Sequence, residues 1–383
     1  MVLFSHRMRW LSHVRLPLEP GSWRIGCENG QIVAIEPLPE GAAAAGENWQ
    51  GDWLSPAGVD LQINGGLGLA FPELQPADLP RLLELLELLW RDGVEAISPT
   101  LVTCGIAPLR QALSVLRQAR QQHRPGRCRL LGAHLEGPFL AAAKRGAHPA
   151  EHLAEPSLEA LEARIGGFED EIALVTLAPE LPGAESVIAA LRRRGVLVSL
   201  GHSAANEAQA GAAFEQGVGM LTHSFNAMAG LQHRSPGPIA AAVLRGDVAL
   251  GLIADGVHVA PSMAVLLQRL APDQVVLVSD ALAPYGLADG THRWDERALI
   301  VENGSCRLED GTLAGVTLPL LEAVRRLASW SGDGERAIAA ATVLPRRLLG
   351  EERSCIQQLL DRPLRDALRW SGPASSLRWS RAG

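Results

Sequence analysis

From about Ser55 to Ser331 the chain alternates short apolar runs of strand type with longer segments whose apolar positions recur at helical spacing. The runs are GVDLQIN (58–64), EAISPTL (95–101), LLGAHLEG (130–137), IALVTLAPE (172–180), VLVSLGHS (196–203), MLTHSFNA (220–227), ALGLIAD (249–255) and VVLVSDA (275–281), eight in all. Segments between them, such as LPRLLELLELLW (79–90) and AESVIAALRRRG (184–195), keep Leu, Val and Ile on one side and charges on the other. This alternation predicts a parallel α/β fold, and eight repeats favour a closed (β/α)8 barrel over an open sheet.

The runs end on polar side chains: Gln62 and Asn64, Thr100, Glu136, Glu180, His202, His223, Asp255 and Asp280. In a barrel those ends share one mouth, where barrel enzymes keep their chemistry. Outside this region, residues 22–37 alternate around Glu28-Asn29-Gly30, a hairpin signal. From about residue 353, IQQLLDRPLRDALRW either pairs with the N-terminal strands or forms short helices, and the last dozen residues are expected to be loosely held. The predicted organisation is a barrel over 55–350 and a small β-sandwich domain from 1–54 and 351–383.

Composition narrows the function without naming it. The 383 residues are 47% hydrophobic and 20% charged, as in an ordinary globular protein. A net charge of −7 leaves no basic surplus for nucleic acid. Cys27, Cys104, Cys128, Cys306 and Cys355 are odd in number, scattered and free of C-x-x-C pairing, which suits reduced thiols in a cytoplasmic protein. Arg and His interrupt the first residues too often for a signal peptide, and no apolar run reaches membrane-spanning length.

Glu136, His202 and His223 close runs three, five and six. A carboxylate with two imidazoles is a common three-ligand set for one divalent metal, Zn or Fe, with a position left open for water. Any one of these histidines alone reads as readily as a structural hydrogen-bonding residue; three groups on nearby strands favour the metal. Asp280, ending run eight, could accept a proton from water and return it to a leaving amine, although an Asp at that point can also simply cap a turn. His134 shares a strand face with Glu136 and reads as structural or supporting. Arg234, His258 and Asn226 follow runs six and seven and suit an anionic ligand, with His233 a lesser candidate. His6, His13, His123, His152 and His292 have no partners at suggestive spacing and are expected at the surface.

The segments SPAGVDLQINGG (55–66), HLEGPFL with KRGAHP (134–149), LGHS (200–203), THSFNAM (222–228), ADGVHV (254–259), SDALAP (279–284) and DGTLAG (310–315) appear in one order. Together they resemble the N-acetylglucosamine-6-phosphate deacetylase family of the amidohydrolase superfamily, over about residues 15–350. The resemblance implies a (β/α)8 barrel with a small β-sandwich, a homodimer, and hydrolysis of an acetamide on an amino sugar phosphate. By position it implies Glu136, His202 and His223 as metal ligands, Asp280 as general base and acid, and His148 as the group polarising the amide carbonyl. It also implies Ala147, Asn226, Ala227, Arg234, His258, Leu313, Ala314 and Gly315 around the sugar phosphate, with Arg234 and His258 reaching the neighbouring subunit's site.

Some positions depart from the family pattern. Gln62 and Asn64 stand where many amidohydrolases carry His-x-His for a second metal, so a single-metal site is expected. Val316 and Ala57 stand where Ser and Gly are common, and the segment after Gly350 lacks the usual closing pattern, which suggests altered affinity or stability before lost chemistry. Two other readings remain at this level: an amidohydrolase acting on a different amide, such as a cyclic one, and a sugar-phosphate binding protein without turnover.

Overall fold

The computed structural model describes residues 8–41, 45–294, 297–351 and 354–383, so His6 and position 353 lie outside the described residues. The chain divides into two compact units, Met1–Val59 with Val324–Gly383, and Asp60–Ala323.

The barrel follows the predicted runs. Its strands one to eight are Gly58–Ile63, Val94–Val102, Ala133–Glu136, Ile172–Leu177, Leu197–Leu200, Met220–Leu221, Ala249–Leu252 and Val275–Leu277. Neighbours pair in parallel from strand two round to strand eight, and strand one pairs with strand two. Beyond strand eight, Asp280 N donates to Gln62 O (2.8 Å) and Asn64 N to Ala281 O (2.7 Å), which bring its end against that of strand one. The helices between strands are amphipathic for the expected reason. Leu79–Arg91 buries Leu82, Leu85, Leu86 and Leu89, and Ala184–Arg193 buries Val187, Ile188 and Leu191. Each such burial contributes about 1.5–3 kcal/mol.

Several strands stop before their functional side chains. His202, His223 and Asp280 lie two or three residues beyond their strand ends, with φ of 49°, 28° and 50°. Left-handed backbone at non-glycine residues is costly and collects at functional sites.

Beneath the mouth, small hydroxyls and one imidazole fill the barrel. His134 contacts Thr100 Oγ1 (3.1 Å) through Nδ1 and Thr176 Oγ1 (2.7 Å) through Nε2, and Thr222 Oγ1 links Thr176 (2.7 Å) to Ser199 (2.6 Å). Burial pushes His134 down to about 4, so it is a neutral structural residue, as its strand position suggested.

After strand eight the chain builds a four-stranded antiparallel sheet, Gly290–Trp294, Arg297–Glu302, Ser305–Leu308 and Leu313–Val316, which the run-counting did not foresee. Its signals were Asn303-Gly304, left-handed at both residues (53° and 82°), and Asp310-Gly311. Leu282, Leu299, Val301 and Cys306 form its buried cluster.

The other unit carries a seven-stranded sheet. Glu19–Glu28 and Gln31–Leu38 form the predicted hairpin around left-handed Asn29 and Gly30. The C-terminal segment does both things allowed for it: Cys355–Leu359 is a short helix and Leu368–Ser371 pairs with Trp53–Ser55. The expectation of a loose tail is wrong. Arg378–Arg381 pairs antiparallel with Leu368–Ser371, Leu377 is buried, and Ala382 N donates to Ala367 O (3.0 Å). Ladder hydrogen bonds and a buried Leu outweigh a composition that reads as tail-like.

The five cysteines are free, and all but Cys104 are buried. Among the described residues no helix is long and apolar enough to cross a membrane.

Candidate active site

The barrel mouth encloses a cavity of about 320 Å3, lined by Asn64, Glu136, His148, His202, His223, Asn226, Ala227, His258, Asp280, Leu313 and Ala314 among others. This size suits a small ligand.

Glu136 Oε1 lies 3.2 Å from His202 Nε2 and 3.1 Å from His223 Nε2, and the two Nε2 atoms are 3.1 Å apart. His202 Nδ1 faces the carbonyl of Lys144 at 2.9 Å. A carbonyl only accepts, so the proton sits on Nδ1 and Nε2 presents a lone pair. A lone pair, a carboxylate oxygen and a second imidazole nitrogen meeting this closely need positive charge among them. Burial pushes the Glu136 carboxyl up, but positive charge carried by the adjoining His202 and His223 imidazoles holds it well below the usual carboxylate range. His223 responds in kind: burial lowers it, and Glu136 more than offsets this and raises it.

The donor set fits a divalent metal. Tetrahedral ligands at about 2.0–2.1 Å from Zn2+ stand roughly 3.3 Å from one another, close to these three separations. His148 with Glu136 and His202 forms a second, looser group, its Nε2 4.0 Å from Glu136 Oε2. The tighter triangle with His223 is the better metal seat, and the backbone N–H of Thr103 directed at His148 Nδ1 (3.3 Å) makes that nitrogen an acceptor. With Nδ1 accepting there, the His148 proton belongs on Nε2 as a donor; with Nδ1 donating to Thr103 Oγ1, 2.9 Å away, Nε2 is left as a ligand. Burial, followed by His202, lowers His148 to about 3 and keeps it neutral.

Asp280 is held by two amides: Asn64 Nδ2 donates to Oδ1 at 2.7 Å and Gln62 Nε2 to the same oxygen at 3.2 Å. Gln62 Nε2 also donates to Glu136 Oε1 at 3.2 Å, so Gln62 bridges the carboxylates of Glu136 and Asp280. Burial, then the charge of Glu136, pushes Asp280 up to about 6. A carboxylate poised near neutrality can both take and return a proton. Gly315 belongs beside it for steric reasons, since a Cβ there would meet Asp280 O at 2.9 Å and Leu282 Cγ at 2.8 Å.

Most of the expected residues thus come together. His258 lies on the wall of its own chain's cavity, its Nδ1 2.7 Å from Asp255 Oδ2, and its side chain is only 6% exposed. The Asp255 contact holds the His258 ring in that position. Arg234 is exposed on its loop, off the cavity lining. The sequence reading missed Lys144, which lines the cavity; its signal was the cationic start of KRGAHP, four residues before His148.

A parallel barrel that gathers a carboxylate, two imidazoles and a separate poised aspartate at its C-terminal mouth defines a hydrolase of the amidohydrolase superfamily. No family model matches the chain. It is 36% identical over 324 residues to the N-acetylgalactosamine-6-phosphate deacetylase of Escherichia coli O157:H7, covering 84% of each chain. It is likewise 36% identical over 313 residues to the N-acetylglucosamine-6-phosphate deacetylase of Bos taurus, covering 78% of this chain and 75% of the relative. Among solved structures, a mutant N-acetyl-D-glucosamine-6-phosphate deacetylase from Mycobacterium smegmatis, in complex with N-acetyl-D-glucosamine-6-phosphate, superposes with a TM-score of 0.83 at 28% identity over 98% of both chains. The chain belongs to the N-acetylglucosamine-6-phosphate deacetylase family.

Proposed function

We propose that this protein hydrolyses the acetamide of N-acetylglucosamine 6-phosphate to glucosamine 6-phosphate and acetate. The observation that carries the reading is Asp280, clasped by Asn64 and Gln62 beside the Glu136, His202 and His223 cluster. Family membership supports the substrate class.

Glu136, His202 and His223 would hold one divalent metal, Zn or Fe. When bound, it supplies Lewis acidity that makes water a nucleophile near neutral pH. Asp280 Oδ2, free of the amide clasp on Oδ1, takes the water's proton and later delivers it to the departing amine nitrogen. His148, neutral and protonated on Nε2, donates to the carbonyl oxygen as charge develops there. Asn226, Ala227, His258, Ala147, Leu313, Ala314 and Gly315 shape the sugar side. The active form is a homodimer in which exposed Arg234 enters the neighbouring subunit's site, in the cytoplasm.

The test is acetate release from N-acetylglucosamine 6-phosphate by metal-loaded protein, beside the unphosphorylated sugar and an Asp280→Asn control. Release that needs both the phosphate and Asp280 is expected. No release from either sugar, with metal bound, would mean another amide or a binding role.

A further inference from the structure

The barrel closes at a seam unlike the ladders elsewhere in it. Strand eight ends at Leu277, and among the described residues strands one and eight share no ladder, only the isolated bridge of Ile63 with Ala281. Two backbone bonds span the mouth side of this seam, Asp280 N to Gln62 O (2.8 Å) and Asn64 N to Ala281 O (2.7 Å). Nearer the strand, Val278 N turns to Leu252 O (3.1 Å), and the acceptor for Ser279 N is a side chain. Asp60 Oδ1 accepts from Ser279 N (3.1 Å) and from Gln62 N (3.3 Å). Asp60 is 1% exposed, and its carboxyl meets two amides and the Ser279 side chain rather than a cation, a costly setting for a buried acid.

We propose that Asp60 is a positioning residue: by joining the amides of Gln62 and Ser279 it holds the turn that carries Asp280 against strand one, and with it the Gln62 link between Asp280 and Glu136. This rests on the deacetylase reading for what Asp280 does, though not for how it is held. Ser279 Oγ accepts from Ala281 N (3.1 Å) and donates to Gln62 O (3.4 Å), so the left-handed Asp280 (φ 50°) is tied on both sides. Asp60 and Gln62 share a strand face. The amide of Gln62 that reaches the Asp280 and Glu136 carboxylates therefore sits on a backbone that Asp60 fixes. Accepting at Oδ1 needs no negative charge, so an amide oxygen can stand in for it.

Substitution separates holding from charge. In Asp60→Ala the turn loosens, and kcat for N-acetylglucosamine 6-phosphate should fall about ten- to a hundredfold, the effect of a misplacement of ~1 Å, with KM within about threefold and metal content unchanged. Asp60→Asn keeps the acceptor and should recover most of the loss. Hydrogen exchange read by mass spectrometry needs no turnover: the peptide spanning 278–282 should exchange faster in Asp60→Ala than in the parent, and at the parental rate in Asp60→Asn. If Asp60→Ala does not fold, Asp60→Ser, whose oxygen falls one bond short of Oδ1, takes its place with the same expectations. Parental kcat or parental exchange in the shortened variant, a KM effect larger than the kcat effect, or an equal loss in Asp60→Asn would overturn the assignment. Failure of the parent to release acetate would sink the deacetylase reading alone, since the exchange comparison still decides whether Asp60 holds the turn.

Discussion

His202 donates from Nδ1 to the carbonyl of Lys144 at 2.9 Å, and this bond turns the Nε2 lone pair toward Glu136 Oε1, 3.2 Å away. A ligand-bearing strand end and the loop after strand three are thereby set as one piece, as orientation of a metal-binding imidazole requires.

The first prediction concerns metal. Purified protein should carry about one divalent ion per chain, and Glu136→Gln, His202→Asn or His223→Asn should each lower occupancy at least about tenfold. Metal analysis of dialysed protein checks this. A value near two would mean that Gln62 and Asn64 do not exclude a second ion. Chelation should abolish acetate release and lower the melting temperature, because an ion bound only by the folded state stabilises it, by about 4 kcal/mol at a thousandfold excess over Kd.

The second concerns His148. In His148→Phe the donor to the developing oxyanion is gone while Glu136, His202 and His223 remain, so kcat should fall about a hundred- to a thousandfold with metal content retained. Steady-state kinetics alongside metal analysis distinguish this from the alternative seat. Loss of the metal would make His148 a ligand.

The third follows from Asp60, buried on strand one, whose Oδ1 accepts from Ser279 N (3.1 Å) and Gln62 N (3.3 Å). Burial pushes its carboxyl up to about 7. Below the usual carboxylate range both folded and unfolded chains hold the proton, and nothing is lost. From about pH 4 to 7 the unfolded chain ionises while the folded chain stays protonated, so this residue's contribution falls with rising pH, by up to about 1.4 kcal/mol per unit, and levels off above 7. Asp60→Asn keeps an acceptor and cannot ionise. Its stability advantage over the parent should be larger at pH 8 than at pH 5 in urea denaturation, and an equal difference at both would show that Asp60 is already ionised when folded.

The fourth tests the dimer. If Arg234 acts in the neighbouring site, Arg234→Ala and Asp280→Asn protomers are each impaired alone, yet a mixed dimer holds one site with both residues intact. Random co-assembly should recover roughly a quarter of parental activity. No recovery, with mixed dimers demonstrated, would assign Arg234 to its own chain or to no site.

Much of this was legible in the linear pattern because barrel strands are buried on both faces and read as apolar runs. A polar residue ending such a run has few uses other than the mouth, which is why Glu136, His202, His223 and Asp280 could be picked out together. The left-handed turns that carry three of them left no comparable mark, since His and Asp at positive φ look like any others in sequence. The insert after strand eight was passed over because its strands are short and half-exposed, although Asn303-Gly304 marked one turn. Lys144 escaped notice because a lysine in a loop is ordinarily a solvated charge. The C-terminal strand escaped because Ser, Gly and Pro describe the turn before it, while Leu377 and the Trp370–Trp379 pairing give it its hold.

The antiparallel insert separates two tasks in space and in chain order. Leu313 and Ala314 bring its last strand to the cavity, whereas the groups assigned to bond cleavage stand on barrel strand ends and the loop after strand three. The earlier strands of the insert can therefore drift, or be exchanged for a relative's, without touching Asp280, whereas Gly315 and Val316, packed on and bonded to Asp280 O, are tied to it. Related enzymes that differ in the configuration at one sugar hydroxyl could arise from one barrel in this way, with the insert acting as an interchangeable template for the sugar and the barrel as a constant cutting edge.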